Sequence, residues 1–80
     1  MENVAFFDAA TVCDRLYGAG VRYSKNNNKF LILNGESGCY EVEEVLDYKA
    51  FQGYILRKHI VSNESQSRRT ARTFMLMYCD

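Results

Sequence analysis

Few side chains in this sequence have the means to do chemistry. They are one histidine, His59, three cysteines, Cys13, Cys39 and Cys79, an acidic run of Glu41, Glu43, Glu44 and Asp47, and a basic set of Arg57, Lys58, Arg68, Arg69 and Arg72. As a general base, His59 would need a nucleophile and an orienting acid within hydrogen-bond reach. Nothing near it in sequence supplies them, and its place at the end of an apolar-periodic run suits a helix C-terminus. The three thiols and the imidazole together make a formal sulfur–nitrogen zinc set. The compact Cys-x-x-Cys or His-x-x-x-His pairs that mark a zinc site are missing, so no metal and no cofactor are expected. Cys13 falls on an apolar stripe, where a small buried thiol is ordinary, and Cys79 is expected at the surface.

The carboxylates at 41, 43, 44 and 47 include i,i+3 and i,i+4 pairs. Such pairs can run acid–base chemistry or hold a divalent cation. They are also what a helix N-terminus prefers, and that is the reading adopted. Asn34-Gly35-Glu36-Ser37-Gly38 follows an apolar run and contains glycines. It lacks the longer glycine pattern and lysine of a phosphate loop, and acidic residues follow it. Arg68, Arg69 and Arg72, with Arg57 and Lys58, form the strongest positive cluster. It reads as a solvated helix face, a contact for a protein partner, or a face that lies against phosphates. No aromatic interleaving marks it as a platform for single-stranded nucleic acid. No catalytic residues are assigned and no enzyme is expected.

These groups must be held by short elements. Asp8 is a candidate N-cap. Ala9, Val12, Cys13 and Leu16 recur at helical spacing, and Gly18 and Gly20 supply a stop. A helix is predicted over about 9–17. Val21 to Ser24 alternates, the three asparagines Asn26, Asn27 and Asn28 turn the chain, and Phe30 to Leu33 makes a second strand. The hairpin spans about 21–33. Cys39-Tyr40-Glu41-Val42 reads either as a short third strand or as the lead-in to a helix. From Glu43 to Ile60 only Gly53 disfavours helix, so a helix is predicted over about 43–60. Tyr48, Phe51, Ile55 and His59 line one side of it. A last helix over about 64–77 places Ala71, Phe74, Met75 and Tyr78 on one face and the arginines on another.

The chain has 80 residues, no proline, and 48% hydrophobic side chains. That composition is globular, not disordered. It is also near the lower size at which one core sustains a fold. A single α+β domain over 1–80 is expected, built as helix, β-hairpin, helix, helix, with the hairpin packed on the helices. Ten basic and ten acidic side chains cancel overall. The balance is uneven along the chain: eight acidic face four basic in residues 1–47, and six basic face two acidic in residues 48–80. No run approaches the roughly 20 apolar residues of a membrane span. Glu2 and Asp8 do not suit a secretory leader. With an odd cysteine count, a cytoplasmic, non-membrane setting is expected.

Residues 12–60 resemble the TubC-type N-terminal docking domains of multi-enzyme peptide and polyketide synthases. The similarity lies in Val12, in Ala19-Gly20-Val21-Arg22-Tyr23, in the asparagine turn, in Lys29-Phe30-Leu31-Ile32, and in Lys49 and Ile55 of the following helix. The resemblance implies a helix–hairpin–helix module that dimerises and binds a short partner segment on its hairpin edge, with Lys29 to Leu33 as the docking strand. The arginine-containing last helix departs from that pattern. The expected function is a non-catalytic protein-interaction or docking module, such as a small accessory or phage- or plasmid-type regulator of a larger protein. A homo-oligomer or another protein is the expected partner. The expected contact residues are Lys29, Phe30, Leu31, Ile32 and Leu33 on the strand and Phe74, Met75 and Tyr78 on the last helix. The alternative is a small nucleic-acid-binding regulator that uses Arg57, Lys58, Arg68, Arg69 and Arg72.

Overall fold

The computed structural model describes residues 7–35 and 41–78. It is an α+β domain in the order α1 (Ala9–Gly18), β1 (Val21–Ser24), β2 (Lys29–Asn34), β3 (Glu41–Leu46), α2 (Tyr48–Arg57) and α3 (Glu64–Met77). Cys39 and Tyr40, most of the Gly35–Gly38 loop, and Cys79 lie outside the described residues.

Side-chain caps set the helix starts. The Asp8 carboxylate accepts from the Ala10 and Thr11 amides and from the Thr11 hydroxyl. Those bonds hold its pKa below the ordinary carboxylate value, the Thr11 hydroxyl contributing most. Asp47 accepts from the Ala50 amide at 2.7 Å, and Asn63 from the Gln66 amide at 2.9 Å. Each cap satisfies a backbone donor that the first helical turn leaves free.

The expected helix over 43–60 is the main correction. Its first four residues belong to β3, and the helix starts only after Asp47. Val42, Val45 and Leu46 suit an extended strand, and antiparallel pairing to β2 satisfies backbone groups that an isolated helical turn would leave to water. Glu43 and Glu44 are therefore strand residues, and Asp47 alone of the acidic run caps a helix. The far end is corrected as well, because α2 stops at Arg57.

The sheet has three antiparallel strands in the order β1-β2-β3. The register pairs Val21 with Ile32, Arg22 with Leu31 and Tyr23 with Phe30. On the other side Phe30 pairs with Leu46, Leu31 with Val45 and Leu33 with Val42, with an irregularity between Ile32 and Leu33. Side chains alternate between faces along a strand. One face thus gathers Val21, Tyr23, Phe30 and Ile32, all buried. The helices cover this face. Phe51 and Ile55 of α2, Ala71 and Phe74 of α3, and Val12, Cys13 and Leu16 of α1 complete the core.

The α1–β1 joint needs glycine. Gly20 has φ +105°, and a Cβ there would lie 2.6 Å from the Leu33 carbonyl oxygen. The absent side chain lets the Gly20 carbonyl accept from the Leu33 amide at 2.8 Å, which locks the start of β1 against β2.

Candidate functional site

Two surfaces carry the residues that the sequence singles out. The first is the outer face of the sheet. Alternation turns Ser24 of β1, Lys29, Leu31 and Leu33 of β2, and Val42 and Val45 of β3 away from the helices, while Arg22 of β1 curls back so that its guanidinium reaches the end of α1. Leu31 and Leu33 are half-buried, while Val42 and Val45 are 53% and 54% exposed. Among the described residues no helix covers this face. The four aliphatic side chains form two adjoining cross-strand pairs, Leu31–Val45 and Leu33–Val42.

This arrangement splits the expected contact set. Phe30, Ile32 and Phe74 are buried in the core, and no partner reaches them in the folded chain. Leu31, Leu33 and Lys29 remain on the outer face. Met75 and Tyr78 are half-buried and pack on the core from α3. Strand β2 is also the central strand, paired on both sides. Its backbone is taken up by β1 and β3, so Lys29 to Leu33 does not offer an edge for strand addition. Sequence reasoning offered a third strand only over residues 39–42, as one of two alternatives, and missed its continuation through Leu46 and with it Val45. The signal was the β-branched Val42 and Val45, outweighed there by the absence of a helix breaker.

The second surface is the basic side of α3. Arg68, Arg69 and Arg72 are all exposed, as are Arg57 and Lys58 at the end of α2. Arg68 and Arg72 stand one turn apart on the same face. Arg69 sits over the Phe7 ring at 5.3 Å, and Lys58 over the Tyr54 ring at 5.6 Å. Two of the five cations thus have intramolecular aromatic neighbours.

The reactive candidates do structural work where they are described. His59 has φ +59°. Its amide donates to the Leu56 carbonyl and the next amide, of Ile60, donates to the Ile55 carbonyl. That pairing is a Schellman cap, with histidine in the left-handed position that glycine usually takes. The imidazole borders a cleft of about 340 Å³ lined by Arg15, Leu16, Ala19 and Ile60, and none of these lining side chains is a nucleophile or a carboxylate. Cys13 is fully buried and its thiol donates to the Thr70 carbonyl at 3.3 Å. Burial, with Asp14 adding, pushes that thiol up to about 12, so it is a protonated core group at neutral pH. Among the described residues no cluster of histidine, cysteine and carboxylate side chains has the make-up of a metal site. None of the described helices is long and apolar enough to cross a membrane.

One polar cluster was not anticipated. The Tyr17 and Tyr78 rings stack at 4.3 Å, and the Arg22 guanidinium lies 3.8 Å from the centre of the Tyr17 ring. Arg22 Nη1 also donates to the Tyr17 and Val21 carbonyls, each at 2.8 Å. Tyr78 donates its hydroxyl to the Asp14 carboxylate. This bond above all, helped by burial, raises the phenol to about 12. The ladder ties α1, β1 and the end of α3 together. No family model, curated protein or solved structure matches the chain.

Proposed function

We propose that this chain is a non-catalytic protein-docking module that works through the outer face of its sheet, in the manner of a small accessory or regulatory protein. One observation carries the reading. One sheet face is closed by three helices, while the other presents Leu31, Leu33, Val42 and Val45 with no described element over them. Four adjoining aliphatic side chains on a sheet face that no described helix covers supply apolar surface for a partner to bury. The resemblance of residues 12–60 to docking domains points the same way, with the contact moved from the hairpin edge to the sheet face.

A photo-crosslinking residue at Val45, introduced in the source cell, tests this. The docking reading expects a protein adduct from position 45 and none from position 72. No adduct at 45 overturns it.

The second reading rests on Arg68 and Arg72, exposed one turn apart on α3. It makes the chain a nucleic-acid-binding regulator. Binding would then weaken steeply with salt and be lost when Arg68, Arg69 and Arg72 become alanine. Crosslinking of position 72 to nucleic acid, with position 45 silent, would select it.

A further inference from the structure

We propose that the cleft where α1 and α2 end is a binding site for a small organic carboxylate. The cleft belongs to the helices, so it is separate from the outer sheet face and independent of the docking reading. It has a volume of about 340 Å³ and is lined by Arg15, Leu16, Ala19, His59 and Ile60. That is the lower end of the size range of small-molecule sites, which are apolar hollows with a few polar groups on them. Leu16 is buried and Ile60 half-buried, and with Ala19 they make an apolar floor. Arg15 and His59 are exposed on its border. The guanidinium is a fixed cation, and the imidazole carries an N–H donor in either protonation state. No carboxylate lines the cleft to neutralise them. This donor set suits the two oxygens of a carboxylate, and the floor suits an apolar body attached to it.

His59 supplies an independent observation. It holds φ +59°, where glycine is the unstrained residue. The cap it forms uses main-chain groups only, so the turn does not need an imidazole. A side chain kept in a costly backbone conformation at the rim of a cleft points to a use for that side chain. The two helix ends are also closed to a degree that removes their bias against an anion. The Ala19 amide donates to the Arg15 and Leu16 carbonyls, the Gly20 amide to the Tyr17 carbonyl, the His59 amide to the Leu56 carbonyl, and the Ile60 and Val61 amides to the Ile55 carbonyl. These carbonyls carry the negative ends of the helix dipoles, and each is already bonded. The same bonds commit the amides of Ala19, His59 and Ile60. A ligand is therefore held by side chains and not by backbone, which suits a free acid better than the end of a peptide chain.

Titration of the full chain with hexanoate, followed by amide shifts in proton–nitrogen correlation spectra, tests the proposal. Hexanol keeps the apolar body without the charge, and acetate keeps the charge without the body. Hexanoate should give saturable shifts at Leu16, Ala19, His59 and Ile60, with hexanol and acetate each weaker by about tenfold or more. Arg15→Gln should weaken hexanoate by about tenfold. His59→Gly should weaken it as well while melting no lower than the wild type, a combination that a purely structural histidine would not give. N-acetylleucine, which mimics a peptide C-terminus, should bind no tighter than hexanoate. Hexanoate without saturable shifts at these residues overturns the site. Hexanol binding as tightly as hexanoate overturns the carboxylate, and acetate doing so overturns the apolar floor. Unchanged binding in both variants overturns the two assigned contacts, and tighter binding of N-acetylleucine overturns the free acid as ligand.

Discussion

The Phe30 ring on β2 lies face to face with the Phe51 ring on α2, with parallel planes and centroids 4.0 Å apart. Phe74 of α3 tilts against both, at 6.0 and 6.2 Å. All three are fully buried. They connect the sheet to both later helices, so the fold depends on them more than on any surface contact. Phe51→Ala should cost about 3–5 kcal/mol through lost burial and the cavity left behind. For a domain of this size that is a large share of the total. A urea titration should find the variant largely unfolded or its midpoint sharply lowered, and an unchanged midpoint would contradict the packing described.

Two glycines should respond in opposite directions to alanine. At Gly20 the new Cβ meets the Leu33 carbonyl at 2.6 Å with φ at +105°. The carbonyl is backbone and cannot swing aside, so Gly20→Ala should destabilise by about 2 kcal/mol or more. At Gly53, inside α2, the nearest atom is the mobile Arg57 guanidinium at 3.8 Å. Gly53→Ala should stabilise by about 0.5–1 kcal/mol through helix propensity. Thermal melts of the two variants on either side of the wild type would check both.

His59 should be improvable. Its left-handed backbone carries a penalty of about 1 kcal/mol that glycine does not. His59→Gly is expected to raise stability by up to that amount, because the cap is formed by backbone groups and needs no imidazole. A marked loss of stability on this change would show that the side chain carries more than the cap.

The Tyr78–Asp14 bond should give the fold an alkaline dependence. The phenol is raised from 10.0 to about 12 in the folded chain. Below pH 10 both states hold the proton and the bond contributes fully. Between pH 10 and 12 the unfolded chain releases the proton while the folded chain keeps it, so stability falls as pH rises. Tyr78→Phe lacks this proton. Its stability should therefore decline less than the wild type's across that window, followed by chemical denaturation at each pH. Identical slopes for the two chains would remove the bond from the account.

Much of the layout was legible in the residues. Asp8 with the stripe Val12, Cys13 and Leu16 marked α1, the asparagines marked the hairpin turn, and the shared face of Ala71, Phe74, Met75 and Tyr78 marked α3. Local cap and turn chemistry, with a period of 3.6 or 2, suffices for such elements. Residues 41–46 were different. Glutamates tolerate helix, no glycine or proline interrupts the run, and only the free edge of β2 makes strand the better choice for Val42 and Val45. The candidate surface depended on the same point. Placing β3 beside β2 closed the edge at Lys29–Leu33, sent Phe30 and Ile32 into the core, and joined Leu31 and Leu33 to two valines on the open face.

The sequence by itself determined α1 with its Asp8 cap, the α3 helix, the hairpin and the α+β class, because those follow from contacts a few residues apart. Tertiary structure alone decided which face of β2 stays open, what His59 and Cys13 do, and how Arg22, Tyr17 and Tyr78 stack. These depend on residues from separate elements meeting, and no local pattern encodes such meetings.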